Sequence, residues 1–384
     1  MKPRSLAVLA VVVAAAIAVP PLLRRTASAA GSVPKFEVDP YWPKPLPNNW
    51  QVGGIGGIFV DSHDNIWVAN RPRSLQANDK YASSNPPQAD CCTPAPSVLE
   101  FDIAGNLLQA WGGPGVGYEW PDTEHGMFVD YKDNVWIAGN GAKDTQILKF
   151  TNKGKFLLQI GRHGKTGGSN DTENLGRPAA IAVYPKTNEV FVADGYANRR
   201  VIVYDADTGA YKRHWGAYGN KPDDKASNAR TFEGRGPEQF NTPHGIAISN
   251  DGLVYVGDRR NNRIQVFRPD GAFVQEGYVE RKTLAEEGTT FDIGFSPDKQ
   301  QRFIYVPDGV NKKVQILDRS RLEVVGWFGG HGGHGAGQFF HIHNLSVDSK
   351  GNIYLGESFG QRVLRWSYKG MRSYREEPTA HSRI

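Results

Sequence analysis

The sequence predicts an all-β chain folded as a six-bladed β-propeller, and three observations carry that expectation. Short apolar-alternating runs recur along the chain, separated by turn signals such as Ser249-Asn250-Asp251-Gly252 and Asn261-Asn262. Glycine is abundant (44 residues), methionine is scarce (3 residues), and no long helical periodicity interrupts the pattern. The same four-strand meander can be written six times in succession.

In chain order, residues 1–29 come first and read as a secretory leader. Lys2 and Arg4 precede the apolar run Leu6–Val19, and Ala27-Ser28-Ala29 supplies the small residues of a cleavage site. The run is short for a membrane span and is closed by Pro20-Pro21 and Arg24-Arg25, so cleavage near Ala29 is expected. Residues 30–50 form a connecting segment, residues 51–370 the propeller, and residues 371–384 a polar tail. The first unit is GGIFVDSHDNIWVANR followed, after an insertion from Pro72 to Pro96, by SVLEFDIAGNLLQAWGG. The second is EHGMFVDYKDNVWIAGN with TQILKFTNKGKFLLQIG, and the third begins PAAIAVYPKTNEVFVADGY. The fourth is PHGIAISNDGLVYVGDRRNNRIQVF, the fifth begins TFDIGFSPDKQQRFIYVPDG, and the sixth is HNLSVDSKGNIYLGESFGQRVLRW. One such sheet cannot cover its own faces, whereas a ring of them covers face against face. The sixth unit is short, so the segment around Phe36-Glu37-Val38 is expected to supply its outermost strand and close the ring.

Charge and cysteine content exclude other classes. The formal charge is +5, but Lys2, Arg4, Arg24 and Arg25 lie in the leader with no acid before Ala30, which leaves +1 for the mature chain. No basic run follows, so nucleic acid is not an expected partner. The two cysteines, Cys91 and Cys92, are adjacent and cannot staple distant loops; a vicinal disulfide, a bound metal and free thiols all remain open, with no catalytic role assigned. Stability must come from a large core. The expected protein is monomeric, secreted or periplasmic, and free of the membrane once its leader is removed.

Aligned unit by unit, the innermost strand opens with Gly56, His125, Ala179, His244, Phe291 and His343. Histidine fills alternate units, and in a six-bladed ring those positions are related by a three-fold rotation. A histidine at a strand start can also cap a turn, but symmetry would choose these three for a metal with an open fourth position, as in catalytic zinc. Phe240 and Phe339 each precede a histidine by four residues, which supports the alignment. His331 and His334 fall in the linker stretch HGGHG and read as solvated, whereas alternation puts His341 on the same side of the chain as His343.

After the second strand, the corresponding residues are Arg71, Asn140, Gly195, Arg259, Gly309 and Ser358. Arg71 and Arg259 fall in opposed units and would flank the metal, ready to grip a carboxylate. The plainer alternative pairs each with a structural acid such as Asp258 or Asp308.

The PxGIAV start, VxD turn and NxRVQVF third strand resemble the NHL repeat. Over roughly Gly54 to Trp366 the chain also resembles the peptidyl-α-hydroxyglycine α-amidating lyases, or peptidylamidoglycolate lyases, most densely in FVADGYANRRVIVYDADTGAYKRHWG, EQFNTPHGIAIS and VGDRRNNRIQVF. That resemblance implies zinc on His125, His244 and His343, Tyr196 as the base, and Arg71 and Arg259 bracketing a small-molecule or peptide substrate with a terminal carboxylate. It implies cleavage of a carbinolamide Cα–N bond to an amide and glyoxylate. Departures from the family are Asn344, where an aspartate would help hold calcium, and Ala197 and Val266, where disulfide cysteines would stand. Calcium is therefore not expected. The alternative from another class is a non-catalytic NHL propeller binding a peptide or protein on its top face. A calcium-dependent lactonase is disfavoured because the axis offers imidazoles rather than carboxylate oxygens.

Overall fold

Alternating apolar residues drive each unit into a four-stranded antiparallel sheet, and the computed structural model contains six of them. It describes residues 31–227 and 229–373. The expected leader lies outside the described residues, as do residues 374–384 of the expected tail. Blade one comprises Gly54–Val60, Ile66–Arg71, Val98–Phe101 and Leu107–Trp111, and blade two runs from Glu124–Val129 to Phe156–Gly161. Blade three runs from Ala180–Tyr184 to Tyr211–Trp215, and blade four from Pro243–Ile248 to Phe273–Tyr278. Blade five opens with a strand of only two residues, Gly294–Phe295, and ends at Glu323–Gly329. No helix among the described residues is long and apolar enough to cross a membrane.

Blade six contains Ile342–Val347, Ile353–Glu357 and Arg362–Ser373, and its fourth strand is the N-terminal Ser32–Asp39. The closing strand runs antiparallel to the last, pairing Phe36 with Tyr368 and Val38 with Trp366. Phe36 is buried against Phe328 and Tyr305 of blade five, so the strand also seals the contact between blades five and six. The remaining blade faces cover one another in the same way; Trp136 and Ile147 of blade two pack with Val190, Val192 and Tyr204 of blade three.

The insertion after Arg71 folds into three single 3-10 turns and returns through Thr93–Pro94, which pairs in parallel with Trp50–Gln51. Cys91 and Cys92 are joined in a vicinal disulfide, which resolves the alternatives left open by the sequence. Arg73 of this insertion donates to the carbonyls of Pro121 and Asp122, tying the loop to the start of blade two.

The ends of the second strands carry buried acids with a repeated task. Asp194 meets Arg200 at 2.8 Å, Asp258 meets Arg263 at 2.8 Å and Glu357 meets Arg362 at 2.7 Å. In blade five the paired residue is Lys313, which instead lies over the Trp327 ring. Asp308 is therefore buried with Asn311 and Gln315 as its partners and no cation among the described residues, and burial pushes its pKa up to about 6.

A raised carboxylate is favoured in its neutral form by the fold. Asp308 therefore contributes stability below pH 4 that is lost as the pH rises through 6. The difference of about 2 pK units corresponds to about 3 kcal/mol. Urea unfolding of the parent and Asp308→Asn between pH 3.5 and 8 should show the variant gaining relative stability across that interval. A difference that stays flat with pH would show that Asp308 does not titrate in this range.

Candidate metal centre

The innermost strands converge on the axis, and with them three side chains. His125, His244 and His343 are buried, with ring centroids 4.9, 4.7 and 4.8 Å apart and one nitrogen of each within 4.8 Å of the others. The odd blades explain why histidine alternates. His125 Nδ1 donates to the carbonyl of Ala179 at 2.7 Å, and His244 Nδ1 to that of Phe291; both acceptors occupy the histidine position of the next blade. An imidazole that donates from Nδ1 presents a lone pair at Nε2, so these bonds fix the tautomer that faces the axis. His343 departs from the pattern. Its Nδ1 donates to the side-chain oxygen of the adjacent Asn344 at 2.7 Å, and the Asn344 amide in turn reaches Asp292. Asn344 thus orients a histidine.

Tyr196 completes the cluster. Its hydroxyl lies 3.0 Å from His125 Nε2, 2.9 Å from His244 Nε2 and 3.2 Å from Arg259 Nη1. A phenol has one proton, and two Nε2 lone pairs compete for it. Burial holds all three histidines well below their ordinary pKa, and neighbouring imidazoles and the guanidiniums of Arg71 and Arg259 push the same way. The centre is therefore rich in lone pairs and poor in protons. That donor set fits a divalent cation with three nitrogen ligands and an open position.

The arginines are poised and unspent. Arg71 Nε donates to the Glu124 carbonyl at 2.6 Å, while its buried Nη2 has no partner among the described residues. Arg259 stacks on Phe291 and Tyr196, with ring-centroid distances of 4.9 and 5.2 Å, and its buried Nε is likewise unpaired. Neither forms an ion pair among the described residues, since Asp258 is taken by Arg263 and Asp308 by amides.

One register differs from the sequence alignment. The backbone N–H groups of Asn140, Arg259 and Ser358 bond the carbonyls of Thr123, Thr242 and His341, and in blade three the residue making this bond is Tyr196 rather than Gly195. Gly195 is one extra residue that moves Tyr196 into the place Arg259 holds in blade four. A Cβ on Gly195 would lie 1.9 Å from the Pro243 carbonyl oxygen, so only glycine fits there. Sequence reasoning also missed Arg177, whose guanidinium lies 5.6 Å from the Tyr196 ring centroid. Its signal was available, because it stands two residues before the histidine position of blade three, as His341 does in blade six. His331 and His334 lie in the exposed linker between blades five and six, where His334 stacks on Phe340. A second group, Asp122, Asp144 and His163, also gathers potential ligands, but backbone N–H groups of Asp122, Thr123 and Gly141 occupy the Asp144 oxygens.

Fold and site define a six-bladed β-propeller with three histidines gathered on its axis, and residues 240–267 match the NHL repeat family model. The chain is similar to NHL repeat-containing protein 3 of Mus musculus, 27% identical over 300 residues that take in 76% of this chain and 70% of that protein. It is 24% identical over 326 residues to peptidyl-glycine alpha-amidating monooxygenase of Mus musculus, covering 82% of this chain and 30% of that protein. The chain thus spans less than a third of the length of that relative. With peptidyl-alpha-hydroxyglycine alpha-amidating lyase 1 of Drosophila melanogaster it shares 22% identity over 348 residues, 86% of this chain and 59% of that protein. Among solved structures, a streptogramin B lyase superposes with a TM-score of 0.51 at 12% identity, covering 87% of this chain and 98% of the other, which shows a shared propeller fold.

Gly195→Ala should lower stability by about 1–3 kcal/mol, because backbone, rather than a flexible side chain, blocks the new methyl group. A denaturant midpoint equal to that of the parent would show that the turn accepts a Cβ.

Proposed function

We propose that the protein is an extracytoplasmic zinc-dependent carbon–nitrogen lyase that cleaves a peptidyl-α-hydroxyglycine-like carbinolamide to an amide and glyoxylate. The observation that carries this reading is the Tyr196 hydroxyl set among His125 Nε2, His244 Nε2 and Arg259, with unpaired guanidinium N–H groups at both arginines. The similarity to proteins named amidating lyase supports the reaction type. The vicinal disulfide and the leader-like residues 1–29 support an oxidising compartment outside the cytoplasm.

Zinc held by His125, His244 and His343 would supply Lewis acidity, making a substrate hydroxyl easier to deprotonate. Arg71 and Arg259 grip the terminal carboxylate and fix the carbinol carbon beside Tyr196. Tyr196, as phenolate, takes the hydroxyl proton. The oxygen lone pair then forms the aldehyde C=O as the Cα–N bond breaks. The nitrogen keeps the bond's electron pair and takes a proton, which the Tyr196 phenol can return, to give the primary amide. Arg259 Nη1, 3.2 Å from the phenol oxygen, holds it in position during this exchange.

Purified protein should hold one zinc per chain, and alanine at His125, His244 or His343 should sharply lower that content. Unchanged zinc in all three variants would remove the metal from the proposal. With a hydroxyglycine peptide as substrate, Tyr196→Phe should keep the zinc and lose about 100-fold or more in kcat. Glyoxylate release by that variant at the parental rate would dismiss Tyr196 as base. If the zinc-loaded parent releases no more than the uncatalysed reaction, the lyase reading itself fails.

A further inference from the structure

Two residues before the histidine position, the six blades carry Gly54, Thr123, Arg177, Thr242, Thr289 and His341. Four are small. The two large ones stand in blades three and six, opposite each other across the ring, so the same repeat position builds two facing walls beside the metal centre.

These walls differ in charge. On the blade-six side, His341 lies against Phe291 and the exposed Phe359, with ring centroids 5.5 and 4.7 Å away, and its Nε2 is 3.7 Å from the Glu287 carboxylate. That wall is aromatic and faces an acid. On the blade-three side, Arg177 Nε donates to the Asn140 carbonyl at 2.8 Å, which fixes the guanidinium 5.6 Å from the Tyr196 ring centroid. Its terminal nitrogens make no hydrogen bond and no ion pair among the described residues. Asn140, at the position of Arg71 and Arg259, keeps a buried side-chain oxygen without a partner.

Three guanidiniums, Arg71, Arg177 and Arg259, therefore gather around Tyr196, and no carboxylate among the described residues is ion-paired with any of them. One terminal carboxylate can be gripped by Arg71 and Arg259. Arg177 then remains, with an orphaned amide oxygen beside it.

We infer that Arg177 and Asn140 form a second recognition subsite, which takes an acidic side chain on the residue preceding the reacting glycine unit. The Arg177 fork accepts the side-chain carboxylate, and the Asn140 oxygen accepts the backbone N–H of the same residue. Glu287 on the opposite wall turns the acid away from His341. This inference rests on the proposed lyase function for the position of the terminal carboxylate.

The test uses binding of unreactive peptides, N-acetyl-Asp-Gly and its neutral isostere N-acetyl-Asn-Gly, measured by calorimetry on the zinc-loaded full chain at low salt. The parent should bind the aspartate peptide about tenfold more tightly, a preference that shrinks as salt is raised. Arg177→Gln should bring the ratio close to one, Arg177→Lys should keep part of it, and Arg259→Ala should weaken both peptides. Equal affinities in the parent, binding of neither peptide, or an unchanged ratio in Arg177→Gln would overturn the subsite. The last result would leave Arg177 a purely structural partner of the Asn140 carbonyl. If the ratio behaves as expected while hydroxyglycine peptides give no glyoxylate, the lyase reading fails and the subsite stands.

Discussion

A single hydrogen bond, repeated around the ring, holds the centre in place. Three residues before the histidine position, a backbone N–H donates to a side-chain oxygen at 2.7 Å in five of the six blades. The pairs are Gly53 with Asn70, Asp122 with Asp144, Gly176 with Asp194, Asn241 with Asp258, and Phe340 with Glu357. Four of the acceptors are carboxylates, whose bonds to N–H groups are stronger than neutral ones. Three of those are also paired with an arginine of the third strand, buried in two cases, so the approach to the innermost strand is tied to the middle of its blade. Blade five lacks the bond. There Asp308 accepts from Asn311 instead, and the innermost strand shrinks to two residues.

Once the approaches are fixed, the parity of the ring assigns the work. Even blades present imidazoles, and odd blades present the carbonyls that aim two of them. Ala179 and Phe291 contribute to the centre through their backbone, so side-chain chemistry alone would assign them nothing. Gly56 opens blade one with no side chain, and a Cβ there would lie 2.2 Å from the Glu124 carbonyl oxygen. That carbonyl is the acceptor that anchors Arg71. The small residue in blade one and the arginine that follows it are therefore two parts of one arrangement.

This distinction also sets what could be read from the sequence. The propeller and the positions of His125, His244 and His343 were legible because both rest on repetition, which survives divergence of individual residues. The closing strand was legible from a missing element, since blade six ran short and a β-compatible segment was free near Phe36. Tyr196 was legible only through family resemblance. A single inserted glycine shifts it into the arginine register, and an alignment that counts residues cannot see a shift that the backbone makes in space. Arg177 shared a repeat position with His341 but was passed over, because arginines elsewhere in the chain mostly serve structural pairs. The state of Cys91 and Cys92 depended on loop conformation, about which adjacency in sequence says little.

Charge separates the architectural arginines from those at the centre. Arg200, Arg263 and Arg362 each have a buried acid, and removing one partner of such a pair costs several kcal/mol. Among the described residues Arg71 and Arg259 have no acid, and each leaves a buried nitrogen unpaired, a cost of about 1–3 kcal/mol apiece. A fold that gives the fully buried Arg200 and Arg263 an acid each leaves these two without one where three imidazoles and a phenol already meet. Arg200 and Arg263 show that the repeat can place an acid beside a buried arginine, so the deficit at Arg71 and Arg259 follows the site rather than the repeat. Under the proposed function, an anion arriving from outside the chain would relieve that deficit, and the terminal carboxylate of the substrate would supply it.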